Sequence, residues 1–311
     1  MTPPLTLWSL PDSLKCGDHS CGGSGNGNVG ADGGHAENCV HVDNSYGGGH
    51  FVSCVVVGYW HLDGSGFDSG PAQNTMVPSL TEASHLTDAI YTAGIQGLGY
   101  YGAGGAALQV ADSDGTGGDS AVDLVHVTML AWVNPASLTG LQQEGAYGYH
   151  QDLMIICKEE AYEMALKSDT SGMAEGTLSS AMKTSGNSNG WAWSDGDGVA
   201  PMDTWTHVAA TQDGDAGEAK YINGAAMSCT NCARNTGDIR TDKPFPLKIG
   251  ARVRGADQGD GWTQITDENV VGDFGDHTTT HSSPFHGTID EVIVLSRAAT
   301  AAEVAAIYGL Y

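Results

Sequence analysis

The feature that most constrains this chain is a series of short apolar runs separated by clusters of Gly, Asp, Asn, Ser and Pro. The runs are "CVVVGYW" (54–60), "AALQVA" (106–111), "VDLVHVTMLAWV" (122–133), "LMIICK" (153–158), "YEMALK" (162–167), "TLSSAMK" (177–183), "TWTHVAAT" (204–211), "AKYING" (219–224), "LKIGARV" (247–253) and "TIDEVIVL" (288–295). Each has the length of one strand, and no helical pattern alternates with them. This spacing predicts an all-β antiparallel sandwich. The segments "DGDAG" (213–217) and "ING" (222–224) read as hairpin turns. One helix is predicted, at the C-terminus: Thr300 and Glu303 stand at capping-box spacing, followed by Val304, Ile307 and Tyr308 on one face.

Glycine is abundant, 45 of 311 residues, which suits either disorder or a turn-rich β protein. A hydrophobic fraction of 40% with seven tryptophans decides for a fold. The 12 Lys+Arg against 37 Asp+Glu give a formal charge of −25. Such a surface repels phosphate backbones, so nucleic acid is excluded as a partner, and it attracts cations. No apolar stretch is long enough for membrane insertion. The opening "MTPPLTLWSLPDSLK" lacks the apolar core of a secretory signal.

Residues 1–54 form a Gly/Cys-rich segment too poor in apolar side chains to pack alone. Its cysteines, Cys16, Cys21, Cys39 and Cys54, read as two disulfides stapling it. Zinc is the rival, because His19, His35, His41 and His50 are interleaved, although the spacings match no common zinc motif. Cys229 and Cys232 read as a small-loop disulfide, with a redox pair as the alternative, and Cys157 as a buried thiol.

In order along the chain, "VVVGYWHLDGSGFDSG", "VTMLAWVNP", "WTHVAATQDGDAGEAKYINGAAM", "LKIGARV" and "FHGTIDEVIVLSRAATAAEVAAIY" resemble the laminin G-like/concanavalin A-like jelly-roll domains. The resemblance covers about residues 55–311 and implies two antiparallel sheets packed face to face, one concave. It also implies a function: a secreted or cell-surface, non-catalytic module that binds a glycan or an extracellular protein ligand. The alternative is a structural subunit of a filament, sheath or matrix, with self-assembly through the Cys-rich segment. A third reading, a polysaccharide-active enzyme, is disfavoured: the superfamily's glycosidases carry Glu-x-Asp-x-Glu on one strand, and neither "TDENV" nor "KEEAYE" reproduces it.

The sharpest local question is why Asp290 opens the apolar run "VIVL". An unpaired buried carboxylate is costly. The bland expectations are a pairing with a backbone N–H or with Arg297, or an edge position facing water. The functional expectation, implied by the resemblance, is a calcium ion (Ca2+) shared with Asp63 of "HLDGSG", completed by carbonyls and water. Asp112, Asp114 and Asp119 are weaker calcium candidates in the acidic loop 111–120, and "WSDGDGVAPMD" (193–203) reads as a second acidic loop. Trp191 and Trp193 fall on one face of a strand, as a core pair or as a sugar-stacking platform. Trp262 sits among polar residues and is a candidate contact. Trp132 and Trp205 are structural. Arg252 and Arg254 belong to a cluster holding six of the twelve cationic side chains, read as charge balance or as a site for anionic sugar.

Overall fold

The computed structural model describes residues 10, 39–42, 50–53, 55–70, 72–78, 91–102, 107–110, 121–139, 152–169, 171–187, 191–242, 245–251, 257–258, 261–262 and 285–311. In chain order the strands are β1 (Cys39–Val42), β2 (His50–Ser53), β3 (Val56–Trp60), β4 (Val77–Pro78), β5 (Tyr91–Ala93), β6 (Leu98–Gly102) and β7 (Leu108–Val110). Then come β8 (Val127–Pro135), β9 (Leu153–Lys158), β10 (Tyr162–Leu166), β11 (Thr177–Lys183), β12 (Trp191–Val199), β13 (Thr206–Asp213) and β14 (Gly217–Ile222). The last are β15 (Ala225–Ala226), β16 (Cys229–Thr230), β17 (Leu247–Ile249), β18 (Asp257–Gln258), β19 (Gly261–Trp262) and β20 (Gly287–Leu295), followed by helix α1 (Ala301–Tyr308).

Two large antiparallel sheets make the sandwich. Sheet I runs β16-β12-β11-β10-β9-β17-β7-β4, and sheet II runs β15-β14-β13-β8-β20-β6-β5 with β3 also paired to β20. The expected all-β jelly-roll architecture is therefore present. The main core lies between the sheets and includes Trp60, Tyr100, Tyr162, Met164, Leu178, Ile249 and Phe285. A second apolar cluster covers the outer face of sheet II, where Tyr59, Leu130, Ile293 and Leu295 meet Leu10, Val304 and Ile307. Helix α1 thus buries its apolar stripe on sheet II, and its capping box forms as the sequence predicts.

The turns follow their chemistry. Asp213 Oδ1 accepts from the amides of Asp215 and Ala216, closing the β13–β14 hairpin. Asn223 and Gly224 both take positive φ (49° and 75°), which a tight β14–β15 turn requires. One expectation fails. The segment read as an acidic loop from 193 is a strand over most of its length, as part of β12. Its composition hides the alternation: Ser194, Gly196 and Gly198 share the inward face, where Met227 and Ile222 leave no room for side chains, and the acids alternate outward.

Candidate functional site

Strand β20 changes neighbours halfway along. Gly287–Ile289 pair with β6, Val292–Leu295 pair with β3, and the register against β8 shifts between Asp290 and Ile293. Asp290 and Glu291 occupy that handover, and Glu291 adopts φ 49° as the bulge demands. The carboxylates therefore sit where two short strands abut, not within a continuous apolar ladder.

What fills the gap is the β5–β6 turn, residues 94–97. Asp290 is fully buried; its Oδ2 accepts from the Gln96 amide at 3.2 Å and its Oδ1 from the Glu291 amide at 2.9 Å. Asp63, exposed on the other flank, accepts from the Leu98 amide at 2.6 Å. Both candidate calcium ligands thus converge on one turn. Gly94 and Gly97 make the approach feasible, since a Cβ at either would overlap a carboxylate oxygen. Burial, reinforced by the Glu291 charge, pushes the Asp290 carboxyl up to about 8. Of the bland expectations, the backbone N–H pairing is realised; Arg297 instead forms a two-pronged pair with Glu303.

Two neighbours were not singled out from sequence. Glu291 accepts from the Tyr311 hydroxyl at 2.7 Å and meets His61 Nδ1 at 3.0 Å, while Tyr311 also bonds Tyr59. Asp68, in the same post-β3 turn as Asp63, is the buried acid there: it gathers the amides of Tyr59, Gly70 and Asn74. Its three amide bonds only partly offset the burial that raises its pKa.

A second polar patch lies on the outer face of sheet I. Trp193 pairs with Ala181, so it points away from the inter-sheet core and rests, half-exposed, on Met154, Cys157 and Ala165. The Lys167 ammonium sits 4.5 Å from the indole centroid, 2.7 Å from Asp152 and 3.6 Å from Asp195, and Ser179 donates to Asp195. The alternative of a core tryptophan is thereby corrected for Trp193. Trp191 opens the same strand, in register with Lys183 of β11. On this sheet Cys157 is buried as a thiol and donates to Glu163; with Glu159 these make the one trio of metal-ligating side chains within 4.8 Å among the described residues.

Trp132 is buried between sheet II and the C-terminus, stacked on Tyr308 and edge-on to His207, whose pKa burial lowers to about 4. Trp205 is half-buried. From the cationic cluster, Arg240 pairs with Asp242 and Glu160, which is charge balance. Cys229 and Cys232 are joined as a disulfide. Asp112, Asp114, Asp119, Arg252, Arg254, Cys16, Cys21 and Cys54 lie outside the described residues, as do the side chains of Cys39, Trp191 and Trp262.

A family model described as the concanavalin A-like lectin/glucanases superfamily matches residues 103–268, more than half of the chain. Among solved structures, domain 4 of a GH43 extracellular arabinanase from Geobacillus stearothermophilus, in complex with arabinotriose, is similar at 19% identity. Its TM-score is 0.50, covering 80% of this chain and 96% of that one. The binding domain of Paraclostridial Mosquitocidal Protein 1 is similar at 12% identity and TM-score 0.50, covering 82% of this chain and 52% of that one. These likenesses show the fold. No curated protein sequence matches the chain, and no helix among the described residues is long and apolar enough to cross a membrane.

Proposed function

Because the chain belongs to the concanavalin A-like lectin/glucanases superfamily, we propose that it is a non-catalytic glycan-binding module that works outside the cell or at its surface. The observation that carries this reading is the Trp193 patch. A half-exposed indole beside an ammonium and two carboxylates offers what a sugar needs: an apolar face for its C–H groups and fixed donors and acceptors for its hydroxyls. Asp152 and Asp195 outnumber Lys167, so the patch favours neutral over anionic glycans. The similar arabinanase domain, whose structure holds arabinotriose, supports a neutral oligosaccharide as ligand. The Cys229–Cys232 disulfide supports an oxidising compartment. The absence of a Glu-x-Asp-x-Glu strand in the sequence supports binding without turnover. Wild type and Trp193→Ala compared on one array of neutral and anionic glycans test this. Selective retention of neutral glycans by wild type, lost in the variant, is expected; retention unchanged by the substitution would move the site elsewhere.

Calcium is the second part of the proposal. Asp63 and Asp290 would hold the ion across the 94–97 turn, with turn carbonyls and water completing the oxygen set. The fit rests on their convergence: Asp63 is exposed to solvent, and a cation would offset the cost of ionising Asp290, whose pKa is otherwise raised. The ion would clip the post-β3 turn to β20, two segments far apart in sequence.

A further inference from the structure

At the end of the sandwich where β14 faces β11 and β12 lies a buried polar cluster with no part in either site above. Glu218 and Lys220 alternate on the inward face of β14, opposite Gln212 and Ala210 of β13. The side chains of both are wholly buried. Lys220 Nζ lies 2.9 Å from Glu218 Oε2 and also contacts Ser194 Oγ. The other carboxylate oxygen of Glu218 contacts Nδ2 of Asn235, itself fully buried. One carboxylate therefore holds a lysine amine on one oxygen and a carboxamide on the other. Asn235 is oriented further by donation to the Ala192 carbonyl at 2.9 Å, and its side-chain oxygen Oδ1 has no hydrogen-bond partner among the described residues.

We propose that this cluster forms an intramolecular isopeptide bond between Lys220 and Asn235, with Glu218 as the catalytic acid and base.

The chemistry needs no outside reagent. The buried ion pair passes a proton from Nζ to Glu218, leaving a neutral amine on the carboxylate that also holds the carboxamide. Desolvation, which lowers the Lys220 pKa despite the Glu218 charge, favours that amine. Its lone pair attacks Cγ of Asn235, forming the Nζ–Cγ bond. Glu218 protonates the carboxamide nitrogen as the Cγ–Nδ2 bond breaks, takes up the proton that Nζ sheds, and passes it to the departing ammonia. Lysine ammonium plus carboxamide become a secondary amide plus one ammonium ion, and Glu218 ends as the carboxylate it began.

The surroundings fit such a step better than they fit a plain ion pair. A salt bridge buried this completely gives up its hydration for little net stability, and an apolar pair could replace it. The Asn235 side-chain oxygen adds an unsatisfied polar atom to that cost. The disulfide places the reactants: Cys229 and Cys232 sulfurs lie 3.7 and 3.5 Å from Nζ, and Cys232 opens the 3-10 turn Cys232–Arg234 that delivers Asn235. The product would tie β14 covalently to the segment beyond that turn, a closure that reducing agents cannot open.

Intact-mass measurement of the reduced full chain, followed by tandem mass spectrometry of a tryptic digest, tests the proposal. Wild type is expected one ammonia lighter than its sequence, with cleavage after Lys220 blocked and a branched peptide joining it to Asn235. Glu218→Gln, Lys220→Arg and Asn235→Ser should each restore the mass of their sequence. A wild-type chain at full sequence mass would overturn the proposal whether or not the variants fold. So would an ammonia loss mapped to ring closure at Asn223-Gly224 with the Lys220 peptide released normally.

Discussion

Replacing Gly97 by alanine tests whether the Asp63 carboxylate grips the β5–β6 turn. Gly97 has φ +69°, and an added Cβ would overlap Asp63 Oδ1 and lie 2.9 Å from Asp63 Cγ. Two costs combine. Holding alanine in the left-handed region costs about 1–2 kcal/mol. Pushing the Asp63 carboxylate aside forfeits its bond to the Leu98 amide, a charge-assisted bond worth about 1.5–3 kcal/mol, with the low end apt because Asp63 is exposed. The sum is about 3 kcal/mol. Gly172→Ala is the control: φ is +74°, nothing lies within 4 Å of the added Cβ, and only the first cost applies. Urea titration of both variants at matched pH reads the difference directly, with the slope checking that the unfolding surface is unchanged. Gly97→Ala should lose about 1.5 kcal/mol or more beyond Gly172→Ala, the share assigned to the displaced carboxylate. Equal losses would show that the backbone conformation alone matters there and that Asp63 does not grip the turn.

Millimolar calcium should raise the wild-type melting temperature and chelator lower it, with Asp290→Asn abolishing the response; identical wild-type curves would remove the ion from the account. His207 is a base whose folded pKa, about 4, lies below its usual 6.5. Its contribution is therefore complete above about pH 6.5 and falls as pH drops toward 4, by about 3 kcal/mol in all. His207→Phe should flatten that part of a pH–stability profile, and an unchanged profile would contradict the burial argument. Thr300→Ala removes the side-chain cap of α1 and should cost about 1 kcal/mol by urea titration; no cost would mean the helix is held by packing alone.

Strand and turn chemistry made the sandwich legible, because each short run carries its own period and each turn its own residue types. The capping box placed α1 for the same reason. The second half of β12 escaped because glycine stands on its inward face, so the alternation Ser194, Gly196, Gly198 shows no hydrophobic signal. The convergence of Asp63 and Asp290 on one turn could be expected from a resemblance. That the turn would be 94–97 could not, since it depends on β20 trading β6 for β3 at Asp290. Glu218, Lys220 and Asn235 left a fainter trace. Two charges at period two in "GEAKYI" face the same way as Ala210 of the neighbouring strand, which is unusual for solvent-facing acids and bases. Asn235 lies beyond a disulfide turn, so only the folded chain brings it to them.

Calorimetric titration of the purified chain with the best-retained neutral oligosaccharide, set against Trp193→Ala, tests the central claim most directly. Truncating an aromatic anchor at the middle of a binding patch costs about 2 kcal/mol or more, roughly a thirtyfold rise in Kd. The account predicts saturable wild-type binding and a rise of that order in the variant, with the melting temperature little moved because the indole is half-exposed. Equal affinity in the two proteins, or no saturable binding to any oligosaccharide, would contradict it.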